Sequence, residues 1–378
     1  MRIVHTADWH LGKKVNEFSM MEDQRDILNK ILGICEQQHA DVLIVAGDVY
    51  DKDAPSEEAV GLLDDFLANA AQRNLKVVLT SGNHDSNQRI AYGSRLLARG
   101  GIFLSSVYEG TIMALTCEDE YGPLCFYLCP FLKPANVRRY HEDKDIKTYT
   151  DMMEVLIEDM NVNRDIRNVL VAHQFVTGAF RSDSEEINVG GLDNVDASVF
   201  EAFDYVALGH IHRPQEMLKK EIRYAGSILK YSFSEADYDK SVTLIDLKEK
   251  GNVEISQIPL VPLHDMKRIR GTYDEITNKS YYENTSLVDD YVEITLTDEE
   301  EVYDALSKLR SIYHGLMKVG FDNERTRESN QTLMEASEEK SPLELFENLY
   351  EKQFNTSMNE EETQFLKQLM DQIWEGNQ

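Results

Sequence analysis

Short apolar runs separated by amphipathic stretches set the pattern of the first 260 residues. The runs at 2–6, 42–46, 76–80, 169–172, 205–208, 222–225, 242–246 and 253–258 are four to six residues long and dominated by Val, Ile, Leu and Ala. Such runs suit strands buried on both faces. Between the first two, Met21, Ile27, Leu28, Ile31, Leu32 and Cys35 recur at helical spacing and predict a helix over 20–38. A second helix is predicted from Pro55 and Ser56 through Leu62, Leu63, Phe66 and Leu67, and a third over 87–98. Strands alternating with helices early, and hairpin-like strands late, predict an α/β fold: a two-sheet β-sandwich flanked by helices.

The texture changes after Pro262. A strand over 288–297, an amphipathic helix over 299–312 and a strand over 316–321 predict a small α+β cap domain. Residues 323–340 are polar, with little to bury, and read as a linker. The chain then carries two amphipathic C-terminal helices. The first opens with Ser341-Pro342-Leu343-Glu344, which has the form of a capping box, and lines Leu343, Phe346, Leu349, Tyr350 and Phe354 on one face. The second opens at Asn359 and presents Phe365, Leu366, Leu369, Met370 and Ile373. The expected domains are therefore 1–261, 262–322, the linker 323–340 and the helical pair 341–378.

Composition narrows the class. At 42% hydrophobic and 28% charged, the 378 residues can build an ample core. No apolar run approaches the roughly 18 residues that would suggest a membrane span. Asp8 interrupts the N-terminal run before a signal-peptide core could form, so a cytoplasmic protein is expected. Cys35, Cys117, Cys125 and Cys129 lack metal-site spacing and read as reduced packing residues. The net charge of −29 argues mildly against a nucleic-acid partner, since phosphate contacts call for Lys and Arg. Its distribution weakens that objection: residues 271–378 hold 25 acidic and 9 basic side chains, over half of the excess. Lys13 with Lys14, Arg138 with Arg139, and Lys267 with Arg268 and Arg270 stand as basic patches, each also readable as a plain solvated face.

Five short motifs each follow a predicted strand: Asp8-Trp9-His10, Gly47-Asp48-Val49-Tyr50-Asp51, Gly82-Asn83-His84-Asp85, Ala172-His173-Gln174 and Gly209-His210-Ile211-His212. Loops at neighbouring strand ends can converge on one site. Residues two apart in extended chain face the same way, so Asp8 with His10, and His210 with His212, can each grip one centre. Asp8, Asp48, Asn83, His10, His173, His210 and His212 together offer two carboxylates, one amide oxygen and four imidazoles. This mixed set suits Mn²⁺, Fe²⁺ or Zn²⁺ better than Mg²⁺ or Ca²⁺. Seven ligands exceed the needs of one ion with open positions and fit two, with Asp48 as the natural bridge. His5, His39, His141, His264 and His314 lie outside the motifs and read as packing or capping residues.

The order of these motifs resembles that of the calcineurin-like metallophosphoesterase superfamily. Within it, HTADWHLGK, VLIVAGDVYD and FDYVALGHIHRPQ, the last after a Gly190-Gly191 loop, resemble the SbcD-type nuclease subunits of SbcCD complexes. The likeness is close to about residue 260; beyond it the layout agrees more than the sequence. It implies the metallophosphoesterase fold, with one metal held by Asp8, His10, Asp48 and His212 and a second by Asp48, Asn83, His173 and His210. His84, left without a metal, would donate a proton or stabilise charge at the phosphate. Asp85 would orient His84, while Tyr50 and Asp51 would support the site, with plain packing equally open for Tyr50. The implied activity is an Mn²⁺-dependent DNA nuclease, exonuclease on duplex and endonuclease on single strands and hairpins, in repair and recombination.

No GxxxxGK[ST] loop exists in the chain, so no nucleotide site is expected here. The ATP dependence that the resemblance implies would fall to a partner, the SMC-like ATPase SbcC. The terminal helical pair is expected to dock on that partner's coiled coil, and the 262–322 unit to assist DNA binding. Homodimerisation through 88–98 is also implied, although a helix there would equally serve to cover a sheet. Two other classes compete: a small-substrate metallophosphatase or cyclic-nucleotide phosphodiesterase, and a non-enzymatic tether. The complete ligand set with His84 argues against the tether. An acidic accessory domain with exposed helices is of no use to a small-substrate enzyme.

Overall fold

The computed structural model describes residues 1–185, 194–300, 302–324, 343, 346–347, 350, 356–359 and 362–367. The Gly190-Gly191 loop, the linker beyond 324 and most of the expected terminal helices lie outside the described residues. The chain divides into two compact units.

The first unit is a sandwich of two six-stranded sheets. Its strands, in chain order, are β1 (Arg2–Thr6), β2 (Val42–Ala46), β3 (Lys76–Thr80), β4 (Ile102–Leu104), β5 (Met113–Asp119), β6 (Gly122–Cys129), β7 (Arg167–His173), β8 (Tyr205–Gly209), β9 (Gln215–Met217), β10 (Lys219–Tyr224), β11 (Lys240–Leu247) and β12 (Val253–Leu260). One sheet runs β12-β11-β1-β2-β3-β4 and the other β9-β10-β8-β7-β6-β5. The middle of each is parallel, β1 through β4 in the first and β6, β7, β8 and β10 in the second. Alternate residues of one strand feed different cores, as the period of two requires. Ile3, Ile44 and Val78 meet Phe126, Val171 and Tyr205 between the sheets. Val4, Leu43 and Val77 pack outward under α1 (Met21–Gln37) and α2 (Glu57–Gln72). The second sheet's outer face is covered by α3 (Tyr149–Asp159), which buries Met152, Met153 and Leu156 behind a Thr148–Asp151 capping box.

Arg167, fully buried, ties the two sheets at the end opposite the motif loops. Its guanidinium donates to Asp119 Oδ1 and Oδ2 (2.5 and 3.1 Å) and to the carbonyls of Gly122, Leu247 and Lys248. Burial opposes charge on Asp119, but the Arg167 bond outweighs it and holds the carboxyl below its ordinary range. A depressed carboxylate stabilises the fold above its unfolded value, near 3.9, and that contribution is lost as pH falls through the folded value. Asp119→Asn is therefore expected to lower the free energy of unfolding at neutral pH by about 1.5–3 kcal/mol. In urea titrations the gap from the parent protein should narrow progressively as pH falls below about 4; an equal gap at pH 3 and pH 7 would remove the electrostatic account.

The second unit comprises residues 269–285, 293–312 and 318–378. It gathers the distal residues of a three-stranded sheet, ordered β13 (Met266–Gly271), β14 (Tyr291–Leu296) and β15 (Gly315–Phe321), with short helices at Tyr273–Thr277 and Ala305–Arg310. Ile269, Ile276, Ile294, Leu296 and Leu309 are among its buried residues.

Two expected helices are shorter than their periodicity suggests. The stretch 87–98 breaks into Asn87–Ile90 and Ser94–Leu97 at Gly93, whose φ of 73° is left-handed. Among the described residues of 299–312 only Ala305–Arg310 is helical, because Asp304 at φ 55° cannot continue a right-handed turn. The hairpin β5–β6 and helix α3 go beyond the sequence pattern; Pro123 in β6 masks a strand that the run Leu124–Cys129 otherwise announces. Among the described residues no helix is long and apolar enough to cross a membrane.

Candidate metal centre

All five motifs leave the C-terminal ends of parallel strands: β1, β2 and β3 from one sheet, β7 and β8 from the other. The first two loops are laced by backbone bonds from Asp8 N to Gly47 O, His10 N to Asp48 O, and Leu11 N to Val49 O, at 3.1, 2.9 and 2.9 Å. Four motif residues carry backbone strain at their positions: Asp8, His10, Asp48 and His210 have φ of 52°, 47°, 48° and 103°. Non-glycine residues adopt such angles only where the surroundings over-determine them. Two motif glycines answer to space instead. A Cβ on Gly82 would lie 2.1 Å from Asp48 Oδ1, and one on Gly209 would lie 1.8 Å from the Ala46 carbonyl.

The structure brings Asp8, His10, Asp48, Asn83, His173, His210 and His212 into one cluster, and all but Asn83 are buried. His10 Nε2 faces His212 Nε2 at 3.1 Å and Asp48 Oδ2 at 3.6 Å. Asn83 Oδ1 sits 3.0 Å from His173 Nε2 and 2.9 Å from His210 Nδ1, and His173 Nε2 is 3.3 Å from Asp48 Oδ2. Three trios have ligand atoms within 4.8 Å of one another: Asp8, His10 and His212; Asp8, Asp48 and His173; His10, Asp48 and His84. Asp48 and Asp8 each join two of them, so both carboxylates lie between the halves of the cluster. The other five histidines lie apart. His5 is buried beside Tyr205, and His141, His264 and His314 pair with Asp159, Asp23 and Asp289. His39 ends a turn after α1.

The donors suit divalent cations on physical grounds. Two carboxylates are buried among imidazoles, and buried charge requires compensation. Burial pushes the Asp8 carboxyl up to about 6, against the pull of His173 and His212. Burial holds the His10 ring well below its ordinary value, the neutral state a ligand needs. Burial would lower His173 too, but Asp48 overrides it and lifts the ring to about 9. His10 Nδ1 is buried without a hydrogen-bond partner.

Several of the clustered residues are held from behind. His173 Nδ1 lies 2.8 Å from the Ala46 carbonyl, which commits that nitrogen as the donor and leaves Nε2 for the centre. Both oxygens of Asp8 accept the His210 amide, at 2.9 and 3.2 Å. His212 is gripped at three points. Its amide donates to Glu185 at 2.7 Å, its carbonyl accepts from Lys240 Nζ at 2.8 Å, and its Nδ1 lies 2.7 Å from Ser184 Oγ. Behind Ser184, Glu235 pairs with Lys240; burial opposes its charge, but Lys240 and then His212 hold the carboxyl well below the usual range. Gln24 Nε2 donates to the His10 carbonyl at 2.8 Å while its Oε1 accepts the Gly12 amide at 3.0 Å. Ser184, Glu185, Glu235, Lys240 and Gln24 escape a reading of the sequence, because none belongs to a motif.

Asp85 does a different job from the one expected. Its carboxylate accepts the amides of Val49, Tyr50 and Gly82 at 3.0, 2.9 and 2.9 Å, clamping the Asp48 loop to the Asn83 loop. The residue that orients His84 is Asp51, whose carbonyl lies 3.0 Å from His84 Nδ1. His84 Nε2 is 4.0 Å from Asp48 Oδ2, with the ring partly exposed. The Asp51 side chain binds Lys13 Nζ at 2.7 Å, and Tyr50 is packed in the core.

Residues 1–214 match the calcineurin-like phosphoesterase family, and residues 262–354 match a family described as the type 5 capsule protein repressor C-terminal domain. The SbcD protein of the SbcCD nuclease of Staphylococcus epidermidis is 32% identical over 349 residues, 89% of this chain and 92% of the relative. Among solved structures, TT1561 of Thermus thermophilus is 11% identical with a TM-score of 0.37, covering 68% of this chain and 98% of its own. A dimetal phosphatase from Danio rerio is 12% identical with a TM-score of 0.40, covering 69% and 99%.

Proposed function

The chain belongs to the calcineurin-like phosphoesterase family, among the SbcD-type nuclease subunits, and on that premise we propose that its substrate is DNA. It is a metal-dependent phosphodiester hydrolase. The observation that carries the reading is the convergence of two carboxylates, four imidazoles and an amide from the ends of five parallel strands.

Asp8, His10, Asp48 and His212 would hold one divalent ion, and Asp48, Asn83, His173 and His210 the other. Such ions, when bound, activate water and neutralise charge on the phosphate. The protein's own residues do the rest. The Asp85 clamp keeps the Asp48 and Asn83 loops in register. The Ala46 carbonyl fixes the His173 tautomer, and Ser184 and Glu235 fix that of His212. His84, with Nδ1 engaged by Asp51, presents Nε2 to the phosphate, where it can move a proton to the departing oxygen.

Manganese is the proposed metal, from the nitrogen-rich ligand set. Metal-stripped protein reloaded with Mn²⁺ is expected to cut end-labelled duplex and single-stranded DNA well above its rate with Mg²⁺, and to stop on chelation. Equal rates with the two ions would sink the ligand assignment. A phosphomonoester cut in preference to any DNA would favour the small-substrate reading.

An SMC-like ATPase of the SbcC type is the proposed partner, since the relative's name places it in SbcCD. The 262–322 unit would assist DNA binding, and the helical pair at 341–378 would dock on the ATPase coiled coil. Removal of 341–378 is expected to abolish co-purification with that partner while sparing Mn²⁺-dependent cleavage of single-stranded DNA. Undiminished co-purification would move the docking role elsewhere. Homodimerisation through the 88–98 segment is supported by Tyr92 and Leu96, which are 85% and 73% exposed.

A further inference from the structure

One segment crosses the mouth of the metal centre. It starts at Phe175, whose ring centroid is 6.4 Å from that of His210, and reaches Ser184, whose Oγ is 2.7 Å from His212 Nδ1. Its inner side, Ser184 and Glu185, holds a ligand. The same segment and its neighbour Arg213 carry aromatic and guanidinium groups that are not among the clustered metal-binding residues. Arg181 Cζ lies 3.6 Å from the centre of the Phe175 ring. Arg213, next in sequence to His212, lies 5.9 Å from the Phe180 ring and 5.4 Å from the Tyr238 ring.

Phe180 is 70% exposed, so packing does not explain it. It is nevertheless held firmly, because Gln215 accepts from its amide and donates to its carbonyl, both at 2.9 Å. On the other side of His210, Phe131 stacks at 24° with ring centroids 6.4 Å apart. In a chain of net charge −29, arginines set against one exposed ring, Phe180, and two half-buried ones, Phe175 and Tyr238, beside the centre suit a ligand that is both anionic and flat.

We propose that Phe180, Arg181 and Arg213, backed by Phe175, form a platform on which an unpaired DNA strand lies as its phosphate enters the metal centre. The proposal rests on the DNA reading given above. Bases of an unpaired strand expose faces that can stack on Phe180, whereas those in a duplex interior are already stacked on each other. The two guanidiniums can each meet a neighbouring phosphate.

The test is fluorescence anisotropy with a labelled, phosphorothioate-linked thymidine oligonucleotide and manganese-loaded protein, over a series of salt concentrations. Phe180→Ala should weaken binding roughly 5- to 150-fold, the range for one lost base stack, with little change in salt slope. Arg181→Met and Arg213→Met should each lower the slope of log K against log salt by about 0.7, the value per single-strand phosphate. Metal content and thermal melting of the same samples separate this from a structural role: Phe180 buries little, so Phe180→Ala should keep both. Parent-like affinity and slope in all three variants, while the parent protein binds, would overturn the platform alone. A parent protein with no salt-dependent binding would overturn the DNA reading together with it.

Discussion

Asp48→Ala is expected to reduce phosphodiester cleavage to the level of chelated protein and to lower bound manganese together with it. Asp48 is the carboxylate shared by the trios with Asp8 and His173 and with His10 and His84. Its Oδ2 lies 3.6 Å from His10 Nε2 and 3.3 Å from His173 Nε2, and its Oδ1 accepts the His84 amide at 2.9 Å. Removing it therefore takes a ligand from both halves of the cluster, and it also frees the loop that carries His84. A variant lacking Asp8 removes the other shared carboxylate but leaves the His84 amide bond intact. Comparing the two by metal analysis and turnover on one preparation assigns the bridge. Two tightly held ions and substantial turnover in Asp48→Ala would exclude Asp48 from that role.

The clustered residues are legible in the sequence because a metal centre of the proposed kind needs rare residue types at fixed places. A histidine or aspartate directly after a buried strand stands out, and the motif glycines beside it mark backbone crowded against another loop, as Gly82 is against Asp48. The two-sheet sandwich is legible for a related reason. Strands such as Val42–Ala46, buried on both faces, leave an unbroken apolar run. The supports of the ligands are not legible. Glu235 and Lys240 find His212 only after the chain has folded, and no spacing rule connects residue 212 to residue 235. Asp85 is recognisable as part of the site, but its neighbour is not. Adjacency in sequence suggests His84, whereas the fold turns its carboxylate onto the amides of Val49, Tyr50 and Gly82. Helix lengths depart from the pattern where one backbone angle, at Gly93 or Asp304, overrides a continuous amphipathic periodicity.

His84→Gln is expected to slow cleavage by roughly 10²–10⁴-fold, the usual span for a lost general acid, while both ions stay bound. The geometry separates this residue from the metal ligands by degree. His84 is the most exposed histidine of the cluster, and its Nδ1 is taken by the Asp51 carbonyl. Only Nε2 points toward the site, 4.0 Å from Asp48 Oδ2, farther than the corresponding nitrogens of His10 and His173. Glutamine keeps the backbone amide that bonds Asp48 Oδ1, so the loop should hold its shape and the bridge its position. What glutamine cannot do is carry a proton to the leaving oxygen. The loss should therefore fall on kcat, and it should shrink with a phosphodiester whose leaving group is acidic enough to depart unprotonated. That dependence on the leaving group is the decisive measurement, since a residue that merely shapes the pocket would slow good and poor leaving groups alike. Loss of manganese from the variant would instead make His84 a ligand, through its trio with His10 and Asp48.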